Sequence, residues 1–164
     1  PSRTPSTSKA YSSSLRTAAP SVAPALRRGD RAPAVHNSDD TAVTYYEPNG
    51  IETLLKRLVP YYDEDKEYWE NGHLVGLARP GVAVSLEPGG QVETSIGILK
   101  KPSDLNTLYS KFRRELAPIL DDLDFRLVNY GYQQSSFADV PVNPKDRYDA
   151  MTDYLAAWVS SAHA

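Results

Sequence analysis

The sequence predicts an α+β fold, in which an antiparallel sheet carries helices on one face. Two observations predict it. Short runs of alternating apolar and polar residues, typical of strands, follow one another closely between residues 73 and 98. Longer stretches with apolar residues at helical spacing flank these runs on both sides. Because only a few residues join the central runs, they favour hairpins over the long crossovers that parallel strands need.

The first predicted element is a helix over residues 51–59, in which apolar residues recur at helical spacing. Order is expected to begin near Val43, just before this helix. Pro60 ends the helix because proline cannot continue the hydrogen-bond ladder. Residues 61–71 are acidic and aromatic, and we interpret them as a solvated loop.

Three strands are predicted next, over residues 73–78, 82–86 and 91–98. A Pro-Gly pair at 80–81 punctuates the first connection. The second connection contains Pro-Gly-Gly at 88–90, where proline cannot donate to the ladder and the glycines permit unusual backbone angles. The ladder is therefore expected to break at this point.

The C-terminal part is predicted to alternate helix, strand and helix. A long helix begins at residues 102–104, with Ser103 or Asp104 as its N-cap. A strand over residues 125–131 and a last helix over 146–158 follow. The helices would cover one face of the sheet.

Residues 1–42 differ in composition from the remainder. They are rich in Ser, Pro, Ala, Thr and Arg, and they contain few large apolar residues to offset the entropy lost on ordering. We interpret them as a disordered or poorly packed segment, followed by one domain over residues 43–164. A transit-peptide interpretation stays open because no acidic residue precedes Asp30, as does a short helix over 21–28.

Composition excludes several function classes. The 164-residue chain has 18 Lys and Arg against 21 Asp and Glu, so it shows no excess of basic residues for nucleic-acid binding. It has no cysteine, which excludes disulfides, thiolate metal sites and a cysteine nucleophile. Its three histidines are scattered and suggest neither a metal triad nor a general base. No apolar run approaches the roughly 18 residues of a membrane span, so we expect no membrane partner and a cytoplasmic location.

The residues that suggest chemistry surround the Pro-Gly-Gly turn. Glu87 precedes it, while Gln91 and Glu93 follow it two residues apart, on one face of any resumed strand. Carboxylates held close together repel each other and persist when a cation neutralises them or one is protonated. The alternative is a surface hairpin with solvated glutamates.

Residues 86–93, which read LEPGGQVE, resemble the L-E-P-G-G-Q-x-E signature of the glutamate–cysteine ligase family, in its plant and bacterial branch. Residues 144–151, PKDRYDAM, resemble the family motif P-K-x-R-Y-x-x-M. Residues 46–52 and 127–133 are also similar to family segments. The resemblance extends from about Tyr45 to Leu155, roughly two thirds of the chain.

This resemblance implies ATP-dependent ligation of glutamate to cysteine through a γ-glutamyl phosphate, the first step of glutathione synthesis. It also implies a curved antiparallel sheet similar to that of glutamine synthetase, with Mg²⁺ as the cofactor. Glu93 and then Glu87 are the implied metal ligands. Phosphoryl transfer needs positioning and charge neutralisation more than covalent chemistry, which agrees with this set of side chains.

Four further residues receive roles from the resemblance. Gln91 would bind substrate or orient a carboxylate. Arg147 would hold a carboxylate or phosphate through its planar fork and, with Tyr148, which lines the amino-acid pocket, would be catalytic. Lys145 is a weaker candidate for phosphate binding. The alternative for Arg147 and Tyr148 is a salt bridge and a packed ring.

Two departures from the family pattern set a further expectation. The family's early strand carries a G-x-E-x-E pair of metal-binding glutamates, yet residues 1–42 contain no glutamate. The part that follows the R-Y helix in the family is also expected to be missing, so the chain is interpreted as a fragment that is inactive alone. Two alternatives stay open: another ATP-dependent carboxylate–amine ligase, and a non-catalytic binding or regulatory domain.

Overall fold

The computed structural model describes residues 26–99, 101–128 and 140–162. Within these ranges the chain forms six strands and three α-helices, and the predicted α+β fold is confirmed. In chain order the elements are β1 (Leu26–His36), α1 (Ile51–Leu58), β2 (Glu67–Glu70), β3 (His73–Arg79), β4 (Val82–Glu87), β5 (Gln91–Leu99), α2 (Pro102–Leu123), β6 (Phe125–Leu127) and α3 (Asp146–Ala162).

The strands form one sheet in the order β2-β3-β4-β5-β1-β6, and every neighbouring pair is antiparallel. The strands from β2 to β5 follow one another as hairpins, as their short connections predict. β1 departs from this simple order, because it lies between β5 and β6. The site described below depends on this insertion.

β1 differs from the expectation that packing begins near Val43. It pairs with β5 from Leu26 to Pro33 and with β6 from Ala34 to His36. Ala34 is fully buried. The strand escaped prediction because its polar composition and internal proline show no apolar alternation, and its order comes from the strands on either side. Residues 1–25 lie outside the described ranges; the strand beginning at Leu26 replaces the end of the alternative helix.

The predicted loop at 61–71 is also more ordered than expected. Two short 3-10 turns, Val59–Tyr61 and Glu64–Lys66, lead into β2. β2 is an edge strand on which Tyr68 and Trp69 are about half exposed. An edge strand with little buried surface lacks the alternation by which a strand is identified.

The start of α2 corrects the predicted cap. Lys101 is the N-cap residue and Pro102 the first helical residue, so neither Ser103 nor Asp104 caps the helix. Proline favours this position because its missing N–H is not needed there and its φ is already helical. Asp124 ends the helix in the left-handed conformation, with φ 56°. The final helix continues to Ala162, beyond the predicted 158.

The core lies between the sheet and two of the helices. α1 and α2 each bury an apolar stripe against one face of the sheet, as expected. Along β4 and β5, buried residues on that face alternate with partly buried or exposed residues on the other. The buried set consists of Val82, Val84, Leu86, Val92, Thr94 and Ile96. The opposite set, on the open face of the sheet, consists of Ala83, Ser85, Glu87, Gln91, Glu93 and Ser95.

In the part of the chain that the structure describes, no helix combines the length and apolar character needed to cross a membrane.

Candidate functional site

The β4–β5 hairpin brings three of the predicted site residues together on the open face. Glu87 lies opposite Gln91, and Ser85 lies opposite Glu93. Since side chains alternate along each strand, all four share one face. Glu87 and Glu93 are diagonal neighbours, for which Cα atoms are typically about 7 to 8 Å apart.

The turn between the strands is fixed by its glycines. Gly89 has φ 74° and Gly90 has φ 70°, in the left-handed region that glycine adopts without strain. A Cβ on Gly90 would lie 2.5 Å from the carbonyl oxygen of Val43. The turn therefore packs tightly against the chain that follows β1, which sets the end of the open face.

Glu93 is engaged on both carboxylate oxygens. Arg31 Nε donates to Oε1 at 3.3 Å, and Ser85 Oγ donates to Oε2 at 3.3 Å. Arg31 lies directly opposite Glu93 in the β1–β5 register. The Glu93 side chain is 21% exposed and that of Arg31 is 60% exposed, so the pair borders solvent.

Glu87 contacts the segment that leads into α3. Arg147 Nη2 lies 3.7 Å from Glu87 Oε1, and the amide of Asn143 donates to the Glu87 carbonyl. The Arg147 side chain is 62% exposed, so its guanidinium remains accessible to a ligand. The structure thus brings Arg147 to the same end of the sheet as Glu87.

Lys145 and Tyr148 hold that segment in place. The β3–β4 ladder ends at Gly76 and Ser85, and beyond it the Leu86 carbonyl accepts Lys145 Nζ at 2.7 Å and Tyr148 Oη at 2.6 Å. Arg147 Nη2 donates to Tyr148 Oη at 2.6 Å. Lys145 and Tyr148 are both buried, which suits anchoring better than direct contact with a ligand.

Burial also sets the protonation of these two side chains. It lowers the pKa of Lys145, helped by the positive charge of Arg147 and opposed by Glu87 and other carboxylates. Burial raises the pKa of Tyr148, while the hydrogen bond from Arg147 acts in the opposite direction. The phenol thus stays protonated at neutral pH and continues to donate to the sheet.

A cleft of about 250 Å³ lies beside these residues. Its lining consists of Tyr68, Glu70, Val75, Gly76, Ser85, Lys145 and Arg147. Gly76 lacks a side chain, and Ser85 connects the cleft to Glu93. The Glu70 carboxylate accepts the backbone N–H of Asp146 at 2.7 Å, so the edge hairpin is tied to the start of α3.

Sequence reasoning missed Ser85, Arg31, Glu70 and Asn143 as members of this neighbourhood. The sequence contains a feature that could identify Ser85, because it precedes Glu87 by two residues on a predicted strand and must share its face. No such feature identifies Arg31, since its segment is interpreted as poorly packed. Glu70 and Asn143 reach the site only through contacts between segments distant in sequence.

The carboxylates fit Mg²⁺ as a partial donor set. Mg²⁺ is commonly held by one or two carboxylates together with water and substrate phosphates, and Glu87 and Glu93 offer that number on one face. Each now contacts a guanidinium, which a cation would have to displace. Among the described residues, no group of three or more His, Cys, Asp or Glu side chains is placed to hold a metal ion.

Comparison with known proteins gives the following matches. The family model "Glutamate-cysteine ligase family 2 (GCS2)" matches residues 34–160. Glutamate–cysteine ligase A, chloroplastic, of Oryza sativa subsp. japonica is 28% identical over 106 residues, which cover 64% of this chain and 21% of that protein. The chloroplastic enzymes of Nicotiana tabacum and Arabidopsis thaliana are 27% and 26% identical over the same length. The chain spans about a fifth of the length of these curated relatives.

Proposed function

Since this chain belongs to glutamate–cysteine ligase family 2, we propose that it supplies one wall of the active site of an enzyme that joins glutamate to cysteine in the first step of glutathione synthesis. The single observation that supports this most directly is the open face of β4 and β5. That face carries Glu87, Gln91 and Glu93 beside an accessible Arg147. The activity is proposed for a longer protein, because the chain matches only about a fifth of its relatives.

The proposed reaction has two steps. The γ-carboxylate of glutamate attacks the terminal phosphorus of ATP, forming an acyl phosphate and releasing ADP. The amine of cysteine then attacks the acyl carbon, an amide bond forms, and inorganic phosphate leaves with the bonding electrons while the amine loses a proton. Both steps gather negative charge on phosphate oxygens, so the site must neutralise that charge and hold the reactants in line.

Glu87 and Glu93 would hold Mg²⁺ in the loaded enzyme. The ion would neutralise phosphate charge, and the strand backbone would keep its ligands in a fixed geometry. Gln91, which lies opposite Glu87 across the hairpin, would orient that carboxylate or donate to a substrate oxygen. Ser85 holds the second oxygen of Glu93.

Arg147 is proposed to bind a substrate carboxylate or a phosphate. Its planar fork can make two parallel hydrogen bonds, and its side chain borders both the cleft and solvent. Tyr148 is buried and bonded to Arg147, so it acts by orienting the guanidinium. Lys145, committed to the Leu86 carbonyl, adds positive charge near the cleft.

The other partners and the location follow from the same proposal. The ligands would be glutamate, cysteine and ATP, with no nucleic acid and no membrane. A cytoplasmic location is part of the proposal, although the curated relatives carry the word chloroplastic in their names. A related carboxylate–amine ligase, with another amine acceptor, is the second candidate. A non-catalytic domain is the third, and the Arg31–Glu93 contact favours it.

The test uses the longest natural reading frame that contains this chain. Phosphate release from ATP is measured with glutamate and cysteine, first in wild type and then in Glu93→Gln. The variant keeps the side-chain shape and removes the charge that Mg²⁺ needs, so ligation should fall by about a hundredfold or more. Glu64→Gln is the matched control, because Glu64 is exposed in a 3-10 turn away from the open face.

Ligation that requires cysteine would support the proposed substrate pair. Turnover with other amines but not cysteine would favour the second candidate, and no turnover in wild type would favour a binding domain. Full activity in Glu93→Gln, with Glu64→Gln also active, would contradict the assignment of Glu93 as a metal ligand.

A further inference from the structure

The strand next to β5, which is β1, brings a positively charged side chain to the open face beside the carboxylates of the site. On that face β1 presents Gly29, Arg31 and Pro33. In register these lie opposite Ser95, Glu93 and Gln91. None of the three can ligate a divalent cation through a side-chain oxygen. β1 therefore gives Glu93 a guanidinium as its nearest charged partner.

The side chains that contact Glu93 engage the same carboxylate oxygens that a metal ion would use. Arg31 Nε is 3.3 Å from one oxygen of Glu93, and Ser85 Oγ is 3.3 Å from the other. A metal ion at Glu93 would need at least one of these oxygens. It would also lie within a few ångströms of a permanent positive charge, since arginine does not lose its proton in proteins.

We propose that Arg31 is a built-in counter-ion that competes with divalent metal for Glu93, so that metal binds this face only when the Arg31 side chain swings away. This inference rests on the proposed function, in which Glu93 is a metal ligand. The Arg31 side chain is 60% exposed, so it has room to move into solvent. Its exposure also weakens the ion pair, which a metal can therefore displace at sufficient concentration.

Arg31 lies before the range that the family model matches, which begins at residue 34. The competition is therefore argued from this chain's own register and contacts. It predicts that the affinity of this site for metal is limited by a residue outside the recognised motifs.

The test measures Mn²⁺ binding to the 164-residue chain by the loss of the free-ion electron paramagnetic resonance signal, at low ionic strength. Arg31→Gln should bind Mn²⁺ at least about tenfold more tightly than wild type, because a unit charge a few ångströms from the ion is removed. Arg31→Lys keeps the charge and should stay close to wild type. Arg57→Gln is the matched control, since Arg57 makes a comparable exposed pair with Asp122 at 3.1 Å on the helical side of the molecule. Circular dichroism melts establish that each variant is folded.

The gain in Arg31→Gln should vanish in the double variant Arg31→Gln/Glu93→Gln, which would tie it to this carboxylate. Equal, Glu93-dependent binding by wild type and Arg31→Gln would overturn the competition while leaving the metal site intact. Equal tightening by Arg31→Lys and Arg31→Gln would also overturn it, because charge would not be the cause. Absence of Mn²⁺ binding in all variants would overturn both the competition and the metal-ligand assignment.

Discussion

At the scale of single residues, two glutamates on one face have different surroundings. Glu93 has both oxygens engaged by side chains from β1 and β4, whereas Glu87 has a looser contact with Arg147 at 3.7 Å. Alternation along a strand predicts a shared face for Gln91 and Glu93, and the register of the β4–β5 hairpin adds Glu87 to that face. Alternation was not enough to find Arg31, whose contact with Glu93 spans 62 positions of sequence.

Tyr148 shows how a buried residue can act through an exposed one. Its hydroxyl donates to the Leu86 carbonyl and accepts from Arg147. Tyr148→Phe removes both bonds but keeps the ring, while Lys145 still satisfies Leu86. We expect a loss of about 1 kcal/mol in the free energy of unfolding, measured by urea denaturation.

In the longer protein, Tyr148→Phe should also raise KM for the substrate that Arg147 binds more than it lowers kcat, because the guanidinium loses its orientation. Tyr154→Phe is the control, since Tyr154 is 70% exposed on α3. Unchanged stability and unchanged KM in Tyr148→Phe would show that the phenol orients nothing.

At the scale of elements, helices and strands were predicted correctly where the pattern of apolar residues lies within a single segment. The helix stripe at 51–59 and the alternation in β4 are local, and both elements appear where expected. β1 and β2 failed for a shared reason. One lies inside the sheet but is polar, the other is an edge strand, and in both the order comes from neighbours in space. The cap of α2 failed because proline at the first helical position competed with the polar residues that follow.

Alanine substitutions can test how much the close packing of the β4–β5 turn contributes to stability. Gly90 and Gly72 both have positive φ, at 70° and 79°. A Cβ on Gly90 would meet the Val43 carbonyl oxygen at 2.5 Å, whereas a Cβ on Gly72 meets nothing within 4 Å. Gly72→Ala should therefore cost about 1 kcal/mol of stability from backbone strain alone.

Gly90→Ala should cost clearly more, about 3 kcal/mol, because the clash with backbone is added to the strain. Urea denaturation of the two variants provides the comparison. Similar losses in both would mean that the approach of Val43 to the turn contributes nothing to stability.

At the scale of the whole molecule, the antiparallel sheet with helices on one face was predictable because the local patterns of α1, α2 and the strands β3 to β5 agreed with it. The composition of the open face was predictable only in part. Its β4–β5 half comes from a hairpin, while its β1 half comes from a segment that folds back from before α1. The family match from residue 34 begins within β1, after Arg31. The residue that sets the charge balance of the face is therefore the one that local patterns leave out.

The buried side chain of Tyr62 predicts how the stability of the fold changes at alkaline pH. Burial raises the pKa of Tyr62 to about 12, with Arg79 opposing the shift. Because the pKa is near 10 in the unfolded chain, the folded state binds more protons between these values. This contribution to stability is complete below pH 10 and is lost as pH rises toward 12. Lys145 acts oppositely, since its lowered pKa favours the folded state as pH rises toward its unfolded value of about 10.4.

The variant Tyr62→Phe separates the effect of Tyr62 on stability at alkaline pH from the opposite effect of Lys145. Among the described residues the buried Tyr62 hydroxyl has no hydrogen-bond partner, so its removal should leave stability at pH 7 unchanged or slightly higher. It should also reduce the loss of stability between pH 10 and 12 by about 2 kcal/mol. Urea midpoints at pH 7, 10 and 11.5 measure this, with Tyr61→Phe as an exposed control. An alkaline slope identical to wild type would show that Tyr62 titrates normally.

The last prediction concerns the chain by itself. The open face offers Glu87, Glu93 and Arg147, yet the described residues hold no group of three metal ligands, and the chain matches about a fifth of its relatives' length. Two carboxylates that each contact a guanidinium offer few ligands for the Mg²⁺ that would neutralise the phosphate charge of the proposed reaction. We expect the 164-residue chain, incubated with ATP, glutamate, cysteine and Mg²⁺, to release no phosphate above the buffer rate. The longer reading frame, assayed in parallel, should be active. Turnover by the short chain that disappears in Arg147→Lys would mean that this one wall carries the whole reaction.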